Sequence, residues 1–179
     1  MRVLGIAGSL RSGSHNRKLL RLAASTLPHG VELETWEGLR DIPAFDEDDE
    51  DQAPLAVAGL RAAVASADAV LIVTPEYNGS IPGALKNALD WASRPVASNA
   101  FRGKPVAVIG ASLGSFGGVW AQDETRKVLG LMGARVIDVE LAVGRAQERL
   151  AGPDEELLGR LRETVAQLVA EAQLQSRAA

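Results

Sequence analysis

The chain has 179 residues, 46% of them hydrophobic and 23% charged, which is enough for one globular domain with a substantial core. A formal net charge of -4, from 19 basic and 23 acidic residues, gives no electrostatic ground for a nucleic-acid or anionic-membrane partner. With no cysteine the chain has no disulfides, thiol catalysis or Cys-ligated metal sites, and no apolar run approaches the roughly 20 residues of a membrane span, so a cytoplasmic protein is expected.

The first apolar run, Arg2 to Ala7, reads as a strand covered on both faces. It feeds GSLRSGSHN, Gly8 to Asn16, which ends where the helical stripe of Leu19, Leu20, Ala23 and Leu27 begins. Such a loop gathers backbone N–H groups, the hydroxyls of Ser9, Ser12 and Ser14, and Arg11 at a helix start, a combination that suits a phosphate. A serine-capped helix start accounts for the same residues without a ligand. The loop is neither G-x-G-x-x-G nor a Walker A motif, because no lysine follows Gly13, so neither an NAD-type Rossmann site nor a P-loop is expected.

Val31 to Trp36 alternates, with Glu32 and Glu34 on one margin, and reads as an edge strand. The acidic run Asp46 to Asp51 lacks the glycine-placed spacing of a calcium loop and reads as solvated, with no metal expected. Ala69 to Val73 is a fully apolar strand followed by TPEYNGSIPG, Thr74 to Gly83. There Pro75 stiffens the backbone, Gly79 permits close approach, and Glu76, Tyr77 and Asn78 complete a fixed wall that would match the edge of a planar heterocycle. A turn whose proline and asparagine serve only the backbone is the simpler alternative. Leu85, Ala88, Leu89 and Ala92 then mark a helix.

Pro105 to Ile109 is a strand that runs into GASLGSFGG, Gly110 to Gly118, with a helix expected from Gly117 or Gly118. Its G-x-S-x-G spacing around Ser112 matches the nucleophile turn of α/β hydrolases. A hydrolase of that type places its histidine after the serine, whereas His15 and His29 both precede Ser112, so a serine hydrolase is only a minor alternative. Arg135 to Leu141 alternates through Asp138 and Glu140 and reads as the second edge strand. A helix from about Asp154 to Gln173 closes the chain, with Leu157, Leu158, Leu161, Val165, Leu168 and Val169 on its apolar stripe.

Strands alternating with helices predict an α/β fold, and two alternating strands at the margins predict a five-stranded parallel sheet in the flavodoxin-like order 2-1-3-4-5. In that order ligands bind beyond the carboxyl ends of the strands, where the three loops after strands one, three and four converge.

GSLRSGSHN, TPEYNGSIPGALKNALDW and GASLGSFGG, in this order and spacing, resemble the NADPH-dependent FMN reductase family, flavodoxin-like proteins that include quinone, azo-dye and chromate reductases. The resemblance runs from Met1 to about Leu141 and implies a single FMN-binding domain over residues 1–179. It implies that Ser9, Arg11, Ser14 and Asn16 hold the FMN phosphate, helped by the neighbouring stretch Leu10, Ser12, Gly13 and His15. The flavin ring would lie against Pro75, Glu76, Tyr77 and Asn78, with Ser112 and Gly114 at its edge. It further implies NADPH or NADH as reductant, ping-pong transfer of two electrons to a quinone, azo compound, chromate or free flavin, no catalytic side chain, and a homodimer or tetramer with sites near the subunit interface. A flavin-binding electron carrier without turnover shares every one of these contacts.

Overall fold

The central strands have no polar face because each supplies two cores at once. The computed structural model describes residues 1–152 and 154–178, in which β1 (Arg2–Ala7), α1 (His15–Ala24), β2 (Glu32–Trp36), α2 (Leu55–Ser66), β3 (Ala69–Thr74), α3 (Gly83–Ala92), β4 (Pro105–Ala111), α4 (Val119–Leu131), β5 (Arg135–Val136), β6 (Ala142–Val143), α5 (Ala146–Arg149) and α6 (Glu155–Ala178) follow in order. All strand pairs are parallel, in the order β2-β1-β3-β4-β5, with β6 also paired to β4. Leu4, Ile6, Val70, Ile72, Val106 and Val108 point into a core roofed by α2, α3 and α4. The intervening Val3, Leu71, Val73, Ala107 and Ile109 point into a second core under α1 and α6. Each fully buried leucine or isoleucine in these layers contributes about 1.5–3 kcal/mol, and β3 and β4 are buried along their whole length with Thr74, at the end of β3, as their one polar side chain.

The fifth strand is not continuous, contrary to the reading of Arg135 to Leu141 as one element. β5 and β6 both lie along β4, and residues 137–141 between them stand opposite the shorter stretch 107–109. The surplus residues cannot enter the ladder, so the edge bulges away from it. Ile137 N–H still bonds Val106 O at 2.9 Å and Gly110 N–H bonds Leu141 O at 3.1 Å on either side of the break. Inside it, the Arg126 guanidinium on α4 donates to Val108 O (3.1 Å) and Val139 O (2.8 Å), satisfying carbonyls that the missing ladder leaves open. The last helix also runs further than expected, to Ala178, and Asp154 caps its start by accepting from Leu157 N–H at 2.9 Å.

The stretch between β2 and α2, which carries the acidic run as an exposed 3-10 turn, is tied down by α3. Asn87 donates to Pro43 O (2.7 Å) and accepts from Phe45 N–H (2.8 Å), while Trp91 Nε1 donates to Pro43 O (3.0 Å) and its ring meets Phe45 edge-on at 5.0 Å. Much of the LKNALDW block is thus committed to the fold.

Candidate functional site

The loops after β1, β3 and β4 enclose a cavity of about 630 Å3 at the carboxyl ends of the strands, where the strand order reverses. From the first loop its lining takes Ser9, Arg11, Ser14, His15 and Asn16; from the second, Pro75, Glu76 and Tyr77; from the third, Ser112 and Gly114. Leu10, Ser12, Gly13 and Asn78, also read as site residues, lie outside the lining. Leu10 packs instead on the core, and its carbonyl accepts from Arg40 at 2.9 Å. Ala111, Leu113 and Gln147 line the cavity without having been foreseen. Gln147 stands on α5, which the broken edge strand swings under the mouth of the sheet, and no motif in the sequence announces it.

The first loop is built to leave donors unused. Ser14 is the N-cap of α1, its Oγ accepting from Asn16 N–H (3.1 Å) and Arg17 N–H (3.3 Å), so its hydroxyl proton alone is left for a ligand. Asn16, read as a phosphate contact, is buried and clamps β4: Nδ2 donates to Ala111 O and Oδ1 accepts from Ala111 N–H, both at 2.9 Å. Its carboxamide therefore welds the first loop to the third. Among the described residues Arg11 forms no ion pair, and His15 Nδ1 is buried without a hydrogen-bond partner. Burial, Arg11 and Lys18 together hold the His15 imidazole below its ordinary pKa.

The second loop turns through Asn78 and Gly79, with φ of 54° and 72°, and Tyr77 and Ser80 exchange two backbone bonds of 3.1 Å across the turn. Two positive φ values in succession mark a primed turn, for which Asn-Gly is the favoured pair. Two carboxylates fasten this loop to α4. Glu76 accepts from Ala121 N–H at 3.2 Å, capping a helix whose own N-cap, Gly118, has no side chain to do so. In return Glu124 of α4 accepts from the Ser80 hydroxyl (2.6 Å) and Ile81 N–H (3.2 Å), bonds that keep its carboxyl below the usual range.

The third loop spends its backbone on β6 and α5. Ser112 N–H donates to Val143 O at 3.1 Å, Ala146 N–H to Ser112 O at 3.0 Å and Arg145 N–H to Gly114 O at 3.0 Å. The amide of Ser112 is therefore unavailable to a ligand. Ser112 Oγ donates to Gly114 O at 3.3 Å rather than to a histidine, and Ser112 is not among the residues with positive φ. A strained nucleophile elbow with its base is absent. Among the described residues no group of three or more His, Cys, Asp and Glu side chains could hold a metal ion.

A doubly wound parallel sheet in the order 2-1-3-4-5, with its ligand cavity at the switch point and a glycine- and serine-rich first loop, defines a flavodoxin-like protein. Residues 1–148 match the model of the family described as NADPH-dependent FMN reductase. An NAD(P)H-dependent FMN reductase from Pseudomonas aeruginosa is 40% identical over 176 residues, 97% of this chain and 94% of that protein. A quinone reductase from Escherichia coli K12 is 39% identical over 140 residues, 77% of this chain and 74% of that protein. The solved structure of FerB, a flavoenzyme NAD(P)H:acceptor oxidoreductase from Paracoccus denitrificans, superposes with a TM-score of 0.86 at 33% identity, covering 96% of this chain and 97% of that one. The chain belongs to the NADPH-dependent FMN reductase family and is an oxidoreductase of that class.

Proposed function

We propose that the protein is an NAD(P)H-dependent FMN reductase whose electron acceptor is a quinone, and that the cavity between the three loops is its flavin site. The observation that carries the reading is the first loop, where Arg11, free of ion pairs among the described residues, and the Ser14 hydroxyl stand beside the N-terminus of α1 and line, with His15, a cavity of about 630 Å3. That donor set fits a phosphate: charge-assisted bonds contribute about 1.5–3 kcal/mol each, and the helix start adds about 0.3–1 kcal/mol. Quinone as acceptor is supported by the E. coli relative. FMN held in the cavity would supply two-electron redox chemistry between the nicotinamide and the acceptor.

The chain's own residues position and exclude. On this reading Ser9, Arg11 and the Ser14 hydroxyl hold the phosphate, and Asn16 fixes the distance between phosphate loop and ring edge by its clamp on Ala111. Pro75, Glu76 and Tyr77 form the wall, with Glu76 holding that wall to α4 rather than moving a proton. Ser112, Leu113, Gly114 and Gln147 border the ring edge, where the Gln147 carboxamide offers both a donor and an acceptor.

The proposed FMN-binding domain spans residues 1–179, acts in the cytoplasm and assembles as a homodimer or tetramer. Association near the site is supported by exposed apolar side chains: Phe116 (65% exposed) meets Trp120 (51%) with ring centroids 5.1 Å apart and planes tilted by 56°, and Leu113 and Tyr77 are also exposed. Among the described residues no helix is long and apolar enough to cross a membrane. The deciding experiment records the visible spectrum of the protein reconstituted with FMN. Bleaching by NADPH without oxygen and recovery on adding a quinone is the expected result. A protein that cannot be loaded with FMN overturns the reading, and one that bleaches without passing electrons to a quinone is an electron carrier or uses another acceptor.

A further inference from the structure

His15 opens α1 directly after the Ser14 cap and lines the proposed flavin cavity, with Nδ1 shut off from solvent and unpartnered. The charged groups that act on its ring are Arg11, in the same loop, and Lys18, three residues along α1; both are positive. From the other elements around the cavity, the third loop and α5 contribute only the uncharged Ala111, Ser112, Leu113, Gly114 and Gln147. Glu76 is the acidic residue of the lining, and its carboxylate accepts from Ala121 N–H in α4. The ring therefore sits in a positive corner that lacks an anion, and together with its burial this keeps it neutral at pH 7.

We propose that the phosphate of FMN draws a proton from solvent onto His15, so that the protein selects FMN over riboflavin by proton-linked binding. The inference rests on the FMN reading of the cavity and extends it to this chain's own residue. The imidazolium donates a hydrogen bond to a phosphate oxygen, and no bond to phosphorus forms or breaks. A phosphomonoester carries close to two negative charges above its second pKa of about 6, and an anion a few ångströms away raises an imidazole by about 1–3 units. Because His15 is lowered in the free protein and raised in the complex, its contribution to affinity is present at the low end of this range and is lost as pH climbs through the bound-state value. FMN itself loses charge below about pH 6, so the effect is read above that.

The test titrates flavin-free, full-length protein with FMN and with riboflavin from about pH 6.5 to about pH 9, and measures proton uptake by calorimetry in two buffers of different ionisation heat. The FMN Kd is expected to rise about tenfold or more across the range, with net proton uptake on FMN binding and a flat riboflavin Kd. In His15→Gln the FMN Kd is weaker at the acid end, flat with pH and free of proton uptake. A flat FMN profile in the wild-type protein, an equal slope for riboflavin, or an unchanged slope in His15→Gln overturns the inference while leaving the flavin site standing. Failure to bind FMN at any pH overturns both. If His15→Gln does not fold, the wild-type comparison of FMN with riboflavin decides alone.

Discussion

The loops after β1 and β4 meet at the same cavity and are joined through Asn16 and Ala111, yet they reach their shapes by opposite means. In the first, the helix start is capped locally by Ser14 while, among the described residues, the Arg11 side chain forms no ion pair and His15 Nδ1 lies buried without a partner. In the third, the main chain is taken up by β6 and α5, and a methyl group on Gly117, whose φ is 64°, would run into the backbone of Ala142 and Val143. One loop waits for a ligand to complete it; the other is completed by the fold. Substitutions should therefore divide into those that change ligand affinity alone and those that change the stability of the empty protein.

Gly117→Ala tests the division hardest. Positive φ together with the backbone collision should lower the stability of the empty protein by about 3 kcal/mol or more, read as a fall in the denaturant midpoint; an unchanged midpoint would detach the third loop from β6. Asn16→Ala removes two buried hydrogen bonds and leaves the Ala111 amide and carbonyl open, which should cost about 2–3 kcal/mol in the empty protein and weaken FMN as well. Arg11→Ala should do the reverse, raising the FMN Kd by about 10- to 100-fold with little change in the empty protein's midpoint. Equal loss of stability in Arg11→Ala and Asn16→Ala would erase the contrast.

Smaller effects sharpen it. Glu76→Gln keeps an acceptor for Ala121 N–H and should retain most turnover, whereas Glu76→Ala should lose about 1 kcal/mol by leaving the start of α4 uncapped. A collapse of turnover in Glu76→Gln would instead give that carboxylate a proton to carry. Ser112→Ala removes one hydroxyl bond to Gly114 O and should change stability by about 0.5 kcal/mol at most, with reductase activity largely intact.

How far the site was legible follows the same line. Twelve of its thirteen lining residues stand in three loops whose composition and position after apolar strands pointed to the cavity, and ten of those twelve were named from the sequence, since the parallel order dictates where those loops meet. Asn16 was found but not its role, because an amide at a helix start looks alike whether it faces a phosphate or a distant strand. Gln147 was missed because its place depends on two surplus residues in an edge strand and on Arg126 reaching across the break.

Period-two burial and period-3.6 stripes are local properties, so the order and type of the main elements, both edges of the sheet and the three loops at its mouth were written in the chain itself. Only the tertiary structure decided which polar groups remain free. Hydrogen bonds join residues such as Asn16 and Ala111 that lie far apart in sequence, and a donor's availability to a ligand is what remains after those long-range bonds are made.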